Sequence, residues 1–257
     1  MNGKVTLPAL RQMKQNGRKI VGVVVYDYQM AQIVDRAGVD IVSVGDSVGV
    51  NVWGQASEAD VTLDQMVLVC QAVRRGVTRA LVSCDIPFGP LQEGTDAAVR
   101  AAIRVVKDGG ADLVKVDAAA SSAGAVRAIT GAGVPVWAQF GTEPSAPNTD
   151  RLVREATQLE EEGASLLDFR YSGPVAGPEV VRAVKIPVIG GLGGGPWLDG
   201  RVRAIVAAIG YLASAVGDTT ERYANVAEIA LAAVTAFGDD VRAARQIRGG
   251  AAAAPRS

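Results

Sequence analysis

The chain has 257 residues, of which 26 are lysine or arginine and 27 are aspartate or glutamate, so its net charge is close to zero. This balance argues against nucleic acid or an anionic membrane surface as the main partner and favours a small molecule. The apolar runs are broken by glycine or charge and fall short of the roughly 20 residues that cross a bilayer, and residues 1–20 lack a secretion signal, so we expect a cytoplasmic protein with no membrane span.

Segments rich in β-branched residues alternate with helix-length segments along the chain. The predicted strands are 19–25, 39–44, 79–84, 111–116, 134–138, 164–169, 186–190 and, more weakly, 205–209. The predicted helices between them are 28–37, 62–75, 95–108, 121–131, 149–162 and 177–184. Several of these helices end in glycine before the next strand, which is typical of a parallel sheet built from helix–turn–strand units.

One phrase recurs along the chain in four variants, DRAGVDIVSV, KDGGADLVKV, ITGAGVPVWA and EEEGASLLDF. Each joins a helix end, a glycine turn and a buried strand. The eight predicted strands, separated by helix-length segments, favour a (β/α)8 TIM barrel over an open sheet. We therefore predict one barrel domain over 1–248, which includes an extra C-terminal helix after residue 217, followed by a disordered tail over 249–257.

Polar residues collect at the ends of the predicted strands, and in a TIM barrel these C-terminal ends form the active-site face. The set comprises Asp46, Ser47, Asp85, Lys115, Asp117, Gln139, Asp168 and Arg170. The chain contains no histidine, so any proton transfer must use carboxylates, lysine, tyrosine, cysteine, water or the substrate.

Asp46, Asp85 and Asp117 are the candidate metal ligands. Carboxylates from different strands can hold a hard divalent ion such as Mg²⁺. A single aspartate at a strand end is explained as well by a helix cap, but three on neighbouring strands beside a lysine favour a metal site. Lys115 precedes Asp117 by two residues on the same strand face, and a buried lysine requires a carboxylate partner or an anionic substrate.

The stretch VVYDYQMAQIVDRAGVDIVSVGDSVGVNVWGQ at 24–55 closely resembles the N-terminal part of the ketopantoate hydroxymethyltransferase family. SCDIPFG, GGADLVKVD, VPVWAQFGTEP and IPVIGGLGGG then follow in the family's order, and the resemblance covers about residues 5–210. It implies a barrel of the phosphoenolpyruvate mutase and isocitrate lyase group. It also implies a homo-oligomer, because relatives of this type form large assemblies.

The activity that this resemblance implies is that of a transferase. Such an enzyme binds a 2-oxo acid on Mg²⁺, removes a proton from the carbon next to the carbonyl, and adds a one-carbon unit from methylenetetrahydrofolate. The resemblance assigns Asp46 and Asp85 to the metal, and Ser47 and Lys115 to the oxo acid. Asp117 stands where the family has a metal-associated glutamate, which is one methylene longer.

Two positions depart from the family's pattern. Gln139 stands where the family has a histidine, and Arg170 stands where it has the catalytic glutamate, so the usual base is missing. Asp168 either replaces that base or pairs with Arg170. The further candidates for a base are a metal-bound hydroxide, Tyr26, Asp27, Tyr28 and Tyr171. A permanently charged guanidinium in the pocket would suit a substrate with a second anionic group.

Three functions are therefore open from the sequence. The first is a hydroxymethyltransferase-like enzyme with aldol-type chemistry on a 2-oxo acid or related anion. The second is a lyase or mutase that acts on a dicarboxylate or a phosphonate held by Arg170. The third is a catalytically silent relative that binds or assembles. The metal carboxylates and Lys115 favour the first function, because a silent protein has no chemical need for them.

Overall fold

The computed structural model describes residues 3–117, 119, 123–141 and 148–249. Its strands form one closed parallel barrel in chain order, in which β8 pairs with β1, so the predicted (β/α)8 fold is confirmed. The strands are β1 Ile20–Val25, β2 Ile41–Val44, β3 Leu81–Asp85, β4 Leu113–Val116, β5 Val136–Phe140, β6 Leu166–Phe169, β7 Val188–Gly190 and β8 Gly200–Ala204. The helices are α1 Leu7–Gln15, α2 Tyr28–Arg36, α3 Val48–Asn51, α4 Leu63–Gly76, α5 Phe88–Gln92, α6 Thr95–Lys107, α7 Ala123–Gly131, α8 Thr149–Glu161, α9 Ala176–Ala183, α10 Ile205–Ala208 and α11 Val226–Arg242.

The eighth strand lies earlier in the chain than predicted. The prediction of a strand at 205–209 is wrong, because α10 occupies most of that segment and β8 precedes it. In β8, Arg201 and Arg203 are exposed on the outer face and alternate with the buried Val202. This strand therefore lacks the continuous apolar run on which the prediction depended, although its alternation is typical of a strand with one wet face.

Two variants of the recurring phrase, DRAGVDIVSV and KDGGADLVKV, and the segment before β8 carry an aspartate with a structural role at the N-terminal end of the barrel. An aspartate directly before an even-numbered strand exchanges two hydrogen bonds with a valine of the preceding strand. Its backbone N–H donates to the valine carbonyl, and its carboxylate accepts the valine N–H. The pairs are Asp40 with Val21, Asp112 with Val82 and Asp199 with Val188, with carboxylate distances of 3.0, 2.9 and 2.9 Å. Strand amides at the end of the barrel thus find acceptors.

The barrel interior is filled by layers of side chains, to which successive strands contribute. The lowest layer is apolar, and Leu10 and Met13 of α1 pack against it. This layer contains Ile20, Ile41, Leu81, Leu113, Trp137, Leu166, Ile189 and Val202. Two residues further along β2 to β6, the interior positions are all polar and buried, namely Ser43, Ser83, Lys115, Gln139 and Asp168. Because side chains alternate along a strand, the next inward positions, 45, 85, 117, 141 and 170, lie at the mouth.

Asp35 of α2 joins this helix to the segment that leads into β3. Its buried carboxylate accepts the backbone N–H groups of Thr78, Arg79 and Ala80 and the Thr78 hydroxyl, at 2.8–3.2 Å. Burial alone raises the pKa of Asp35, but these hydrogen bonds outweigh it and lower the pKa below its ordinary value. The ionised carboxylate therefore stabilises the folded state.

Replacement of Asp35 by alanine is expected to lower the free energy of unfolding by about 2–4 kcal/mol, because it leaves several backbone donors without an acceptor. Urea denaturation measures this loss. Since the folded pKa lies below the unfolded value of about 3.9, the difference between wild type and variant is complete above that pH and shrinks as the pH falls through the folded pKa. Asp64→Ala, at a mostly exposed carboxylate, is the control and should change stability by less than about 1 kcal/mol. A difference that persists unchanged to pH 2 would contradict this account.

The chain divides into two compact units, Met1–Ala204 and Ile205–Ser257. The prediction of one domain over 1–248 stays a prediction. In the second unit, α11 begins at Val226 rather than soon after residue 217, because Asn225 caps it by accepting the Glu228 N–H at 3.3 Å. The predicted tail lies outside the described residues apart from Gly249. Among the residues described, no helix has both the length and the apolar character needed to span a membrane.

Candidate active site

Three carboxylates meet at the mouth of the barrel, where Asp46 follows β2, Asp85 ends β3 and Asp117 follows β4. One oxygen of each lies within 4.8 Å of the other two, so the structure brings the three predicted aspartates together. The Asp46 N–H donates to Asp85 Oδ2 at 3.4 Å, whereas Asp85 Oδ1 is buried and has no hydrogen-bond partner among the described residues. An unpartnered carboxylate oxygen beside two other carboxylates fits a hard cation such as Mg²⁺.

The electrostatics of this cluster favour the binding of a cation. Burial, followed by the negative charge of Asp117, raises the pKa of Asp46 to about 6. Burial also raises the pKa of Asp85 well above its ordinary value, against the opposing effect of the Lys115 ammonium. Both carboxylates are therefore buried beside other negative charges, and a bound cation would stabilise their ionised forms.

Lys115 lies beneath the mouth, and its ammonium contacts two carboxylates of this cluster, Asp85 and Asp117, and also Asp168. Its ammonium donates to Asp117 Oδ1 and lies 3.6 Å from Asp85 Oδ2 and 3.9 Å from Asp168 Oδ2. Burial lowers the pKa of Lys115, but the charges of Asp117, Asp85 and Asp168 outweigh burial and raise the pKa above its ordinary value. Lys115 therefore carries a fixed positive charge in the middle of the site.

Gln139 separates Asp168 from Arg170. Gln139 Nε2 donates a hydrogen bond to Asp168 Oδ2 at 3.3 Å. Gln139 Oε1 accepts a hydrogen bond from Arg170 Nη1 at 3.4 Å. Both charged residues lie in the described part of the chain, and no Asp168–Arg170 ion pair within 4.0 Å joins them. The alternative in which Asp168 pairs with Arg170 is therefore wrong, since Lys115 is the cation nearest to Asp168.

Ser47 is positioned by a hydrogen-bonded tyrosine. The Tyr26 hydroxyl lies 2.9 Å from Ser47 Oγ and accepts a hydrogen bond from Asn51 Nδ2 at 3.0 Å. Burial raises the pKa of Tyr26, so this hydroxyl stays neutral. Asp27, another candidate base, instead caps α2, because its Oδ1 accepts the Met30 N–H at 2.8 Å.

The backbone that carries Arg170 is fixed on both sides. The Arg170 N–H donates to the Phe140 carbonyl at 3.0 Å, and the Tyr171 N–H donates to the Leu192 carbonyl at 2.7 Å. Tyr171 has a backbone φ of 50°, a conformation that a residue other than glycine adopts only where its surroundings enforce it. A Cβ atom at Gly141, whose φ is 130°, would lie 2.3 Å from the Arg170 carbonyl oxygen. Close backbone packing therefore holds this part of the mouth rigid.

Substitution of Gly141 by alanine is expected to lower the free energy of unfolding by about 2–4 kcal/mol, because it adds a backbone clash to an unfavourable φ. Gly133→Ala is the matched control, since Gly133 has a φ of 82° but no atom within 4 Å of the added Cβ. The control should lose only about 1 kcal/mol, from the dihedral alone. Equal losses in the two variants, measured by thermal denaturation, would show that close packing at Gly141 is unimportant.

Two residues near the site were not predicted. Asn51 supports Tyr26, and its position four residues after Ser47, on the same face of a short helix, was the signal that could have identified it. Glu58 adds to the negative charge that raises the pKa of Asp46, but it lies in a 3₁₀ turn that does not follow a strand, and no sequence pattern marks it.

The sequence profile of the family described as ketopantoate hydroxymethyltransferase matches residues 4–246. The chain belongs to the ketopantoate hydroxymethyltransferase family. It is 35% identical over 253 residues to the 3-methyl-2-oxobutanoate hydroxymethyltransferase of Moorella thermoacetica, a match that covers 93% of this chain and 94% of that protein. The enzyme of the same name from Hyperthermus butylicus is 36% identical over 256 residues, which cover 94% and 88% of the two chains.

Solved structures share the barrel of this hydroxymethyltransferase family member. A 2,3-dimethylmalate lyase of the PEP mutase/isocitrate lyase superfamily aligns with a TM-score of 0.64 at 14% identity, covering 97% of this chain and 91% of that one. A phosphonopyruvate hydrolase solved with oxalate and Mg²⁺ aligns with a TM-score of 0.62 at 15% identity, with coverage of 98% and 92%. At these identities the likeness establishes the fold.

Proposed function

We propose that this hydroxymethyltransferase family member forms an enolate from a 2-oxo acid with the help of Mg²⁺ and transfers a one-carbon unit to it. The observation that carries the proposal is the convergence of Asp46, Asp85 and Asp117 above the ammonium of Lys115. These three carboxylates would hold the ion. Bound Mg²⁺ supplies Lewis-acid chemistry, since it stabilises the negative charge that develops on the 2-oxo oxygen.

Ser47 and Lys115 are the proposed contacts to the oxo acid. Lys115 offers a fixed positive charge to the substrate carboxylate, and Ser47 offers a hydroxyl whose orientation Tyr26 and Asn51 hold. The polar layer on β2 to β6 is buried, so water is largely excluded beneath the reacting carbon. Exclusion of water strengthens each of these electrostatic interactions.

Asp168 is the proposed base. It is buried, it lies 3.9 Å from Lys115, and it has no guanidinium partner in the described ranges. Burial raises the pKa of Asp168, which makes it a stronger proton acceptor than an exposed aspartate. The proton that leaves carbon 3 of the substrate would pass to an Asp168 oxygen, while Gln139 and the Gly191 N–H keep that carboxylate in place.

Substitution of Asp168 by asparagine is expected to slow proton removal by about 100-fold or more while substrate and Mg²⁺ still bind, because the amide keeps the shape of the side chain but cannot accept the proton. Isothermal titration calorimetry measures binding, and proton NMR in D2O measures exchange. Unchanged exchange in Asp168→Asn would remove this residue from the role and leave Tyr171 or a water molecule as candidates.

The test of the proposed function is exchange of the C3 proton of 3-methyl-2-oxobutanoate in D2O, followed by proton NMR with Mg²⁺ and with EDTA. We expect exchange with Mg²⁺ only. Addition of methylenetetrahydrofolate, the proposed one-carbon donor, should then yield a hydroxymethylated product and free tetrahydrofolate, with water supplying the hydroxyl oxygen. Absence of exchange with any of a panel of 2-oxo acids would overturn the proposal and favour the lyase or the silent relative.

The proposed assembly is a homo-oligomer. On α11 the side chains of Ile229, Val234, Phe237 and Val241 are 49–67% exposed, which leaves apolar surface for a second copy of this chain. Light scattering after size-exclusion chromatography measures the assembled mass, and Val234→Glu should reduce that mass. A monomer of 26.5 kDa would contradict the proposal.

A further inference from the structure

Arg170 and Lys115 are both cations of the site, but they contact different kinds of group. Lys115 lies within 4.0 Å of three carboxylates. Arg170 is half-buried at the mouth and donates a long hydrogen bond of 3.4 Å to a neutral amide oxygen of Gln139. Its guanidinium carbon also lies 5.6 Å from the centre of the neutral Tyr171 ring. Among the residues described, no carboxylate oxygen comes within 4.0 Å of an Arg170 nitrogen.

A half-buried guanidinium whose contacts in the described part of the chain are neutral groups has a charge and several N–H donors available for a ligand. The available side is the mouth of the barrel, because Arg170 directly follows β6 and lies two positions after the inward-facing Asp168. One amide, that of Gln139, and one carboxylate, that of Asp168, separate this guanidinium from the Lys115 ammonium. A small substrate held at Lys115 therefore lies close enough to present a second group to Arg170.

The position of Arg170 is also pre-organised. The close approach of Gly141 and the enforced positive φ of Tyr171 fix the backbone on either side of the residue. The Gly193 backbone adds to this constraint, since a Cβ atom at Gly193 would lie 2.8 Å from Tyr171 Cα. A rigid backbone reduces the entropy that is lost when the side chain binds an anion.

We infer that Arg170 binds a second carboxylate of the substrate, so that the preferred substrate is a 2-oxo dicarboxylic acid rather than a 2-oxo monocarboxylic acid. The inference rests on the proposed function, because Lys115, Ser47 and Mg²⁺ hold the 2-oxo acid end of the same molecule. A carboxylate is the chemical group that the planar fork of a guanidinium matches with two parallel hydrogen bonds.

The experiment compares acids of equal chain length by isothermal titration calorimetry at saturating Mg²⁺. The five-carbon pair is 2-oxopentanedioate and 2-oxopentanoate, and the four-carbon pair is 2-oxobutanedioate and 2-oxobutanoate. In the wild-type protein we expect at least one diacid to bind roughly 10- to 100-fold more tightly than its monoacid, the range of a charge-assisted hydrogen bond. Arg170→Gln should abolish this preference, so that the diacid binds no more tightly than the monoacid of the same length.

Two further variants make the comparison specific. Arg170→Lys keeps the charge but not the fork, so it should retain part of the preference. Arg11→Gln removes the same charge from an exposed position on α1, whose Leu10 and Met13 pack at the opposite end of the barrel, and it should retain all of the preference. Equal affinity for diacid and monoacid at both chain lengths in the wild-type protein would overturn the inference, as would a preference that survives in Arg170→Gln. If neither class of acid binds with Mg²⁺, the proposed function fails first.

Discussion

Replacing Asp85 by asparagine is expected to reduce Mg²⁺-dependent exchange of the substrate C3 proton by at least about 100-fold and to weaken Mg²⁺ binding strongly. Asp85 is the central carboxylate of the site. One of its oxygens accepts the Asp46 N–H and lies 3.6 Å from Lys115, while the other is buried without a partner in the described part of the chain. Asparagine has nearly the same shape, so the loss comes from the missing charge.

The measurement is a Mg²⁺ titration by calorimetry, combined with the NMR exchange experiment on the same preparations. Asp96→Asn is the matched control, since this exposed aspartate lies in the first turn of α6 on the outside of the barrel. It should leave both metal affinity and exchange within about twofold of wild type, as expected of a surface substitution. If Asp85→Asn binds Mg²⁺ as tightly as the wild-type protein, the metal site has been assigned to the wrong residues.

The barrel and much of its polar interior could be predicted because both depend on short-range patterns. Because side chains alternate along a strand, Lys115 and Asp117 face inward together, and so do Asp168 and Arg170. The recurring helix–glycine–strand phrase marks four of the eight units. The eighth strand escaped detection because two outward-facing arginines interrupt its apolar pattern. Local composition alone therefore identifies strands that are buried on both faces better than strands with one wet face.

The partners of the charged groups could not be predicted in the same way. Which cation meets Asp168 depends on the register between strands, which pairs Gln139 with Asp168 and Asp85 with Lys115. This register follows from the stagger of the closed barrel and is not encoded in the spacing along any single strand. For this reason the sequence left the Asp168–Arg170 pair open, whereas the three-dimensional arrangement places the Gln139 amide between the two residues.

Lys115 gives rise to a prediction in which metal and substrate affinity change in opposite directions. The Lys115 ammonium occupies the centre of three carboxylates, where it stabilises the protein in the absence of metal and repels a divalent cation. In Lys115→Met the side chain keeps its approximate length but loses its charge. We expect Mg²⁺ affinity to rise roughly tenfold or more, since the repulsion is removed. Affinity for the 2-oxo acid and the rate of exchange should each fall by about 100-fold, because the substrate loses its fixed positive contact.

The same substitution should lower the free energy of unfolding by about 3–5 kcal/mol in the presence of EDTA, because it leaves buried carboxylates without their counter-ion. Saturating Mg²⁺ should restore much of this loss, since a ligand that binds only the folded state stabilises it by mass action. Lys107→Met, at an exposed lysine in the last turn of α6, is the control and should change neither quantity. A Lys115→Met protein that binds Mg²⁺ no more tightly than wild type would show that the lysine and the metal do not share one carboxylate cluster. A gain in Mg²⁺ affinity together with loss of exchange would instead place both on the same carboxylates, with the lysine serving the substrate rather than the metal.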